Sequence, residues 1–154
     1  MSTELDLQRM ARELAIESNH SFWQLAENDI TDQQKRDLLS SALASVYLWT
    51  EAGNEENKYL AYMAAARAFA INEVSSLAKE YACKAYAYFK DSDQLWIRAF
   101  SNAILSHALL LTGQSEMAET YYQEAVQLSL SLSEQEKIIF SSTLAKIPNP
   151  AVAA

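Results

Sequence analysis

Gly113-Gln-Ser-Glu-Met-Ala118-Glu-Thr-Tyr121-Tyr122-Gln-Glu-Ala125-Val-Gln-Leu128 is the stretch that decides how this chain is read. A glycine closes one apolar run. Ala118, the Tyr121-Tyr122 pair and Ala125 then follow at three- and four-residue spacings, which set them on one face of a helix. Alanines at such positions let a neighbouring helix approach closely, and tyrosines fill the space beside them. The stretch reads as the second helix of a helix-turn-helix unit.

Working back by 40 positions, Ala118 aligns with Ala78, Tyr121 with Tyr81, Ala125 with Ala85, Ala108 with Ala68, Leu109 with Phe69 and Leu105 with Ala65. The chain thus carries an earlier copy of the same unit. From Tyr59 to Leu128, and most clearly from Gly113 to Leu128, the pattern resembles the tetratricopeptide repeat. The inner-helix positions of that repeat are matched by Leu105, Ser106, Ala108 and Leu109, and earlier by Ala65, Ala66, Ala68 and Phe69. This chain also departs from the family. Its period is 40 where the family has about 34 residues. Asn102 and Ser106 replace the early Trp and Gly, Glu73 stands where the first copy wants its turn glycine, and neither outer helix ends in proline.

The resemblance implies antiparallel helix pairs stacked as a right-handed superhelix or bundle, with inner helices lining a groove for a peptide or helix of a partner protein. Arg67 and His107 occupy equivalent groove positions one period apart, and Arg98 and Asn102 are further candidates for hydrogen-bonding an extended segment. Met63 and Ala103 stand where the family's carboxylate clamp has basic or amide side chains. The same polar residues also read as groups satisfied inside the protein, because a polar side chain on an apolar helix needs a partner of some kind.

Composition supports an all-α reading. The 154 residues include two glycines and two prolines, too few for hairpins and tight β-turns. Hydrophobic periodicity predicts seven helices in one domain, 1–147, with a flexible tail at 148–154. The first runs from about Glu4 to Glu27, with Leu5, Met10, Leu14, Trp23 and Leu25 apolar and a break suggested at Asn19-His20-Ser21. Thr31 with Gln34 and Ser133 with Glu136 match capping boxes for the second and last helices. The second helix ends at Gly53-Asn54 and presents Leu38, Leu39, Ala42, Leu43, Val46 and Trp49. The third, Glu55 to Ile71, and the fifth, Gln94 to Thr112, are apolar almost all round and must be covered on several sides. Asp91-Ser92-Asp93 reads as the break and N-cap before the fifth.

A net charge of −8, from 20 acidic and 12 basic residues without a basic cluster, argues against nucleic-acid and membrane-surface binding. Cys83 is the single cysteine, expected as a buried thiol on a packed helix, and its solitude fits a reducing, cytoplasmic setting. The beginning, Met1-Ser-Thr-Glu-Leu-Asp-Leu-Gln, lacks a basic and apolar leader pattern. The apolar run Leu95–Leu111 contains Arg98, Asn102 and His107, and an arginine at a bilayer centre costs about 2.5 kcal/mol or more.

Catalytic patterns are lacking. Glu17-x-x-His20 has a spacing used by metal-binding bundles, but the required second copy is missing, since Ile104 precedes His107 by three positions. No Gly-x-Ser-x-Gly elbow or glycine-rich phosphate loop occurs. The sequence therefore points to a non-enzymatic interaction module without cofactor or metal. The alternative is a structural subunit, a homodimer among its forms, that self-associates through apolar faces of the first three helices.

Overall fold

Two helix pairs carry the 40-residue relationship into three dimensions. Helices α3, Glu55–Ile71, and α5, Leu95–Leu111, are each 17 residues long, while α4, Ser75–Phe89, and α6, Ser115–Ser129, are each 15. Every boundary of the first pair recurs 40 positions later. The computed structural model describes residues 2–26 and 28–153, with the side chains at 2, 17–21, 23, 24 and 153 outside the description. Ahead of the pairs lie α1, Ser2–Ala26, and α2, Asp32–Ala52; behind them lie α7, Glu134–Leu144, and α8, Pro150–Ala153. The fold is all-α.

The turn inside each pair has the same backbone chemistry. Glu73 N–H donates to Ala70 C=O at 3.0 Å and Val74 N–H to Phe69 C=O at 2.9 Å. One period on, Gly113 N–H donates to Leu110 C=O at 3.1 Å and Gln114 N–H to Leu109 C=O at 2.9 Å. This is the Schellman arrangement, which needs one residue with left-handed backbone. Gly113 supplies it at φ 80° and Glu73 at φ 58°. The same turn therefore forms over a glutamate, at a cost of about 1 kcal/mol that glycine avoids.

Each helix from α1 to α6 packs on its neighbour in sequence, and α1, α3, α5 and α7 also touch in succession, so the odd-numbered helices form an inner row. Burial follows from that position. On α3 every residue from Met63 to Ala70 is buried, and on α5 every residue from Ala99 to Leu109. The even-numbered α4 and α6 bury narrow stripes, Ala78, Ala82, Ala85 and Phe89 on one, Ala118 and Ala125 on the other. Ser106 Oγ donates to the Ala118 carbonyl at 2.7 Å, a bond that only close helix approach allows.

The repeat tyrosines sit at the rim of the core. Tyr81, Tyr121 and Tyr122 are half-buried against it, with Tyr81 stacked on Phe69 at 5.6 Å and Tyr121 edge-on to Tyr86 at 5.2 Å. Where alanines bring two helices together, a phenol ring fits beside the contact line rather than on it. Cys83, expected to be buried, is exposed, because it lies next to Ala82 but off the stripe of Ala78, Ala82 and Ala85.

Both capping boxes form as expected, Thr31 with Gln34 and Ser133 with Glu136, and Asn54 with Asn57 makes a third at α3. Asp93 does not cap α5. Gln94 holds the N-cap position without a side-chain bond, and its own N–H donates to Ser92 Oγ at 3.2 Å. Helix α1 runs unbroken through 19–21. Residues 148–154, read from the sequence as a tail, contain α8, which packs on α6 with Pro150 buried. No described helix is long and apolar enough to cross a membrane.

Candidate functional site

Arg67 on α3 and His107 on α5 are brought together by the repeat itself. Both are buried, at 2% and 7% exposure, and Arg67 Nη1 lies 3.1 Å from His107 Nδ1. A guanidinium only donates. His107 Nδ1 must therefore accept, so the imidazole is neutral with its proton on Nε2. Burial, then the neighbouring Arg67 charge, pushes the His107 pKa down to about 4, which agrees with that assignment. Burial also pushes Arg67 down to about 10, leaving it charged at neutral pH.

The pair forms part of the wall of a pocket of about 510 Å³. Helix α3 and its turn contribute Arg67, Ala70, Ile71 and Glu73; α5 contributes His107 and Leu111. The α1–α2 connection adds Asn28, Asp29 and Ile30, α2 adds Lys35, and the C-terminal segment adds Lys146 and Pro148. The opening thus lies where the helix ends meet.

Two polar ties hold this end in place. Asn72 Nδ2, at the C-cap of α3, donates at 2.9 Å to the Lys35 carbonyl on α2 and at 2.9 Å to Ala68 in its own helix. Lys146 Nζ donates to Asp29 Oδ1, which joins the C-terminal segment to the α1–α2 connection. That contact holds the Asp29 carboxyl below its ordinary pKa, first through the hydrogen bond and then through the Lys146 charge. Lys35 pairs with Asp32 at 3.8 Å, an exposed helical pair of small energetic weight.

Of the four residues singled out in the sequence, the pocket gathers two. Arg98 and Asn102 lie earlier on α5 and do not line it; Asn102 Nδ2 donates to the Arg98 carbonyl at 2.8 Å, within their own helix. Asn102 Oδ1 and Arg98 Nε are buried without hydrogen-bond partners. Glu17 and His20, the pair with metal-ligand spacing, lie outside the described side chains. Sequence reasoning missed Asp29, Lys35, Glu73 and Lys146 as pocket residues. Only Glu73 gave a signal, as the wrong residue at a turn position. The chain matches no protein-family model, no curated protein and no solved structure.

Proposed function

We propose that this chain is a non-enzymatic protein-interaction module of tetratricopeptide-like build, which takes a peptide or helical segment of a partner protein at the Arg67–His107 pocket. The observation that carries this reading is a buried arginine opening onto a pocket among helix ends, where apolar wall and unspent hydrogen-bonding capacity occur together. A cytoplasmic setting goes with it, since an exposed Cys83 stays monomeric and reduced there. Selection from a displayed random-peptide library tests the proposal. Selected peptides should shift backbone amide signals of residues 67–73 and 107–113, and bind Arg67→Met more weakly. Peptides that shift only signals elsewhere, or that bind the variant equally, refute the pocket as the site.

A second reading, self-association, draws on a different observation. Helix α1 exposes Leu7, Met10 and Leu14, three and four residues apart on one face, at 51–62%, and clustered exposed apolar side chains are one mark of an interaction surface. Light scattering across a concentration series decides it: a stable dimer that Leu7→Asp and Leu14→Asp disrupt supports this reading, and a monomer throughout rejects it.

A further inference from the structure

Arg67 is 2% exposed, yet among the described residues just one of its nitrogens has a protein partner. Nη1 donates to His107 Nδ1; Nε is buried with no partner; and no carboxylate pairs with the guanidinium among the described residues. Which nitrogen is used matters. Nε and Nη2 share the edge of the guanidinium whose two parallel N–H bonds match the two oxygens of a carboxylate. His107 engages Nη1, so that edge has no protein partner among the described residues, although its Nε is enclosed within the protein.

A buried cation facing only a neutral imidazole is an incomplete arrangement, because desolvation of the charge is not offset by an opposite one. An anion would offset that charge, and the pocket provides a route for one. The charges around the opening bear on which anion fits. Lys35 and Lys146 are each engaged by an aspartate, Asp32 and Asp29, while Glu73 pairs with no cation among the described residues. A doubly charged guest would meet the unpaired Glu73 with a single guanidinium lacking a carboxylate partner to hold it. A singly charged guest matches that one guanidinium. Ala26, Ile30, Ala70 and Leu111 make the intervening wall apolar.

We propose that the pocket binds a monocarboxylate carrying an apolar body, its charge paired with the Arg67 guanidinium that no protein carboxylate meets among the described residues. The group is either a small carboxylic acid or the α-carboxylate that ends a peptide with an apolar last residue. In the second form it rests on the peptide-binding reading above and supplies the anchor for it. His107 then has a positioning role: by accepting from Nη1 it holds the Arg67 guanidinium at the pocket wall. Glu73 sets a limit on guest charge.

Calorimetric titration of the full chain with four probes tests this: hexanoate, hexyl phosphate, an N-acetylated pentapeptide ending in leucine, and the same peptide as its C-terminal amide. Hexanoate or the free-acid peptide should bind, with the amide and hexyl phosphate each weaker by about tenfold or more, since a charge-assisted contact is lost or a second charge is repelled. Arg67→Lys should weaken binding comparably while keeping the charge; His107→Ala, which loses the acceptor, should weaken it too, and His107→Asn, which retains one, should restore most of it. Because acid and amide are compared on the unaltered protein, the test does not depend on a variant folding. Equal binding of acid and amide peptides overturns the carboxylate anchor but leaves peptide binding standing. Hexanoate binding without peptide binding upholds the anchor and counts against the peptide reading. Preference for hexyl phosphate, or binding of none of the four, overturns the proposal.

Discussion

Arg67 and His107 occupy the same place in two successive helix pairs, 40 positions apart, and are joined by a 3.1 Å hydrogen bond between α3 and α5. The equivalence that relates them in sequence is thus also a contact between the two units. It has a pH signature.

His107 is neutral in the fold with a pKa near 4, against an ordinary value of 6.5. In the unfolded chain it takes up a proton as the pH falls through 6.5, while in the fold it resists until about 4. Stability is therefore fully present above pH 6.5 and declines as the pH falls toward 4. Beside the imidazole on α3 is Arg67; Lys35 on α2, Lys146 and the carboxylates Asp29 and Glu73 complete the charges around the pocket. The decline amounts to about 3 kcal/mol over the full window and about 2 kcal/mol between pH 7.5 and pH 5. Urea unfolding at the two pH values should show this loss in the native sequence and not in His107→Asn, which accepts from Arg67 but cannot be protonated. Equal losses in both proteins would place the effect elsewhere.

Glu73 and Gly113 make a matched pair for measuring backbone strain, since both hold a left-handed conformation in the same Schellman turn. Glu73→Gly should stabilise the protein by about 0.5–1 kcal/mol, seen as a higher urea midpoint at unchanged slope. Gly113→Ala should cost about 1 kcal/mol, and purely as backbone strain, because a Cβ there meets nothing within 4 Å. Loss of stability in Glu73→Gly would mean that the glutamate side chain makes a contact worth more than the strain.

These turns also mark how far the sequence could be read. Glu55–Ile71 was legible to the residue, and the helix after Gly113 in its place, because alanine spacing, Gly113 and the turn position at Glu73 are local signals. The two capping boxes were legible for the same reason. The pocket was half legible: a 40-residue offset finds Arg67 and His107, but whether Arg98 and Asn102 join them depends on how the helix ends converge. Asp29 and Lys146 meet across 117 positions, which no periodicity encodes. Cys83 was misread because a helix packed on one face leaves its other face to solvent, and one cysteine does not reveal which face it occupies.

That exposure gives a direct prediction for Cys83. A water-soluble disulfide reagent should modify the native protein to one equivalent without denaturant, and the modified protein should keep the unfolding midpoint of the unmodified one. The thiol lies off the stripe of Ala78, Ala82 and Ala85 that packs α4, so an added group meets solvent. Labelling only after addition of urea would show that this face of α4 is covered.

Close packing of α5 on α6 rests on small side chains and one hydroxyl. Ser106 is fully buried and its hydroxyl donates to the Ala118 carbonyl at 2.7 Å, whereas the first pair has Ala66 and Ala78 at these places and no such bond. The first pair forms the same turn without it, so the hydroxyl adds stability to a contact that alanine alone can make. Ser106→Ala should accordingly cost about 1 kcal/mol, the ordinary net value of one buried hydrogen bond. Ala118→Leu should cost more, about 2 kcal/mol or above, since a fully buried alanine at the contact leaves no room for three further carbons without separating the helices. Thermal or urea unfolding of both variants checks the ordering. If Ser106→Ala proved the more damaging, the hydrogen bond rather than the small side chains would be what holds α5 against α6.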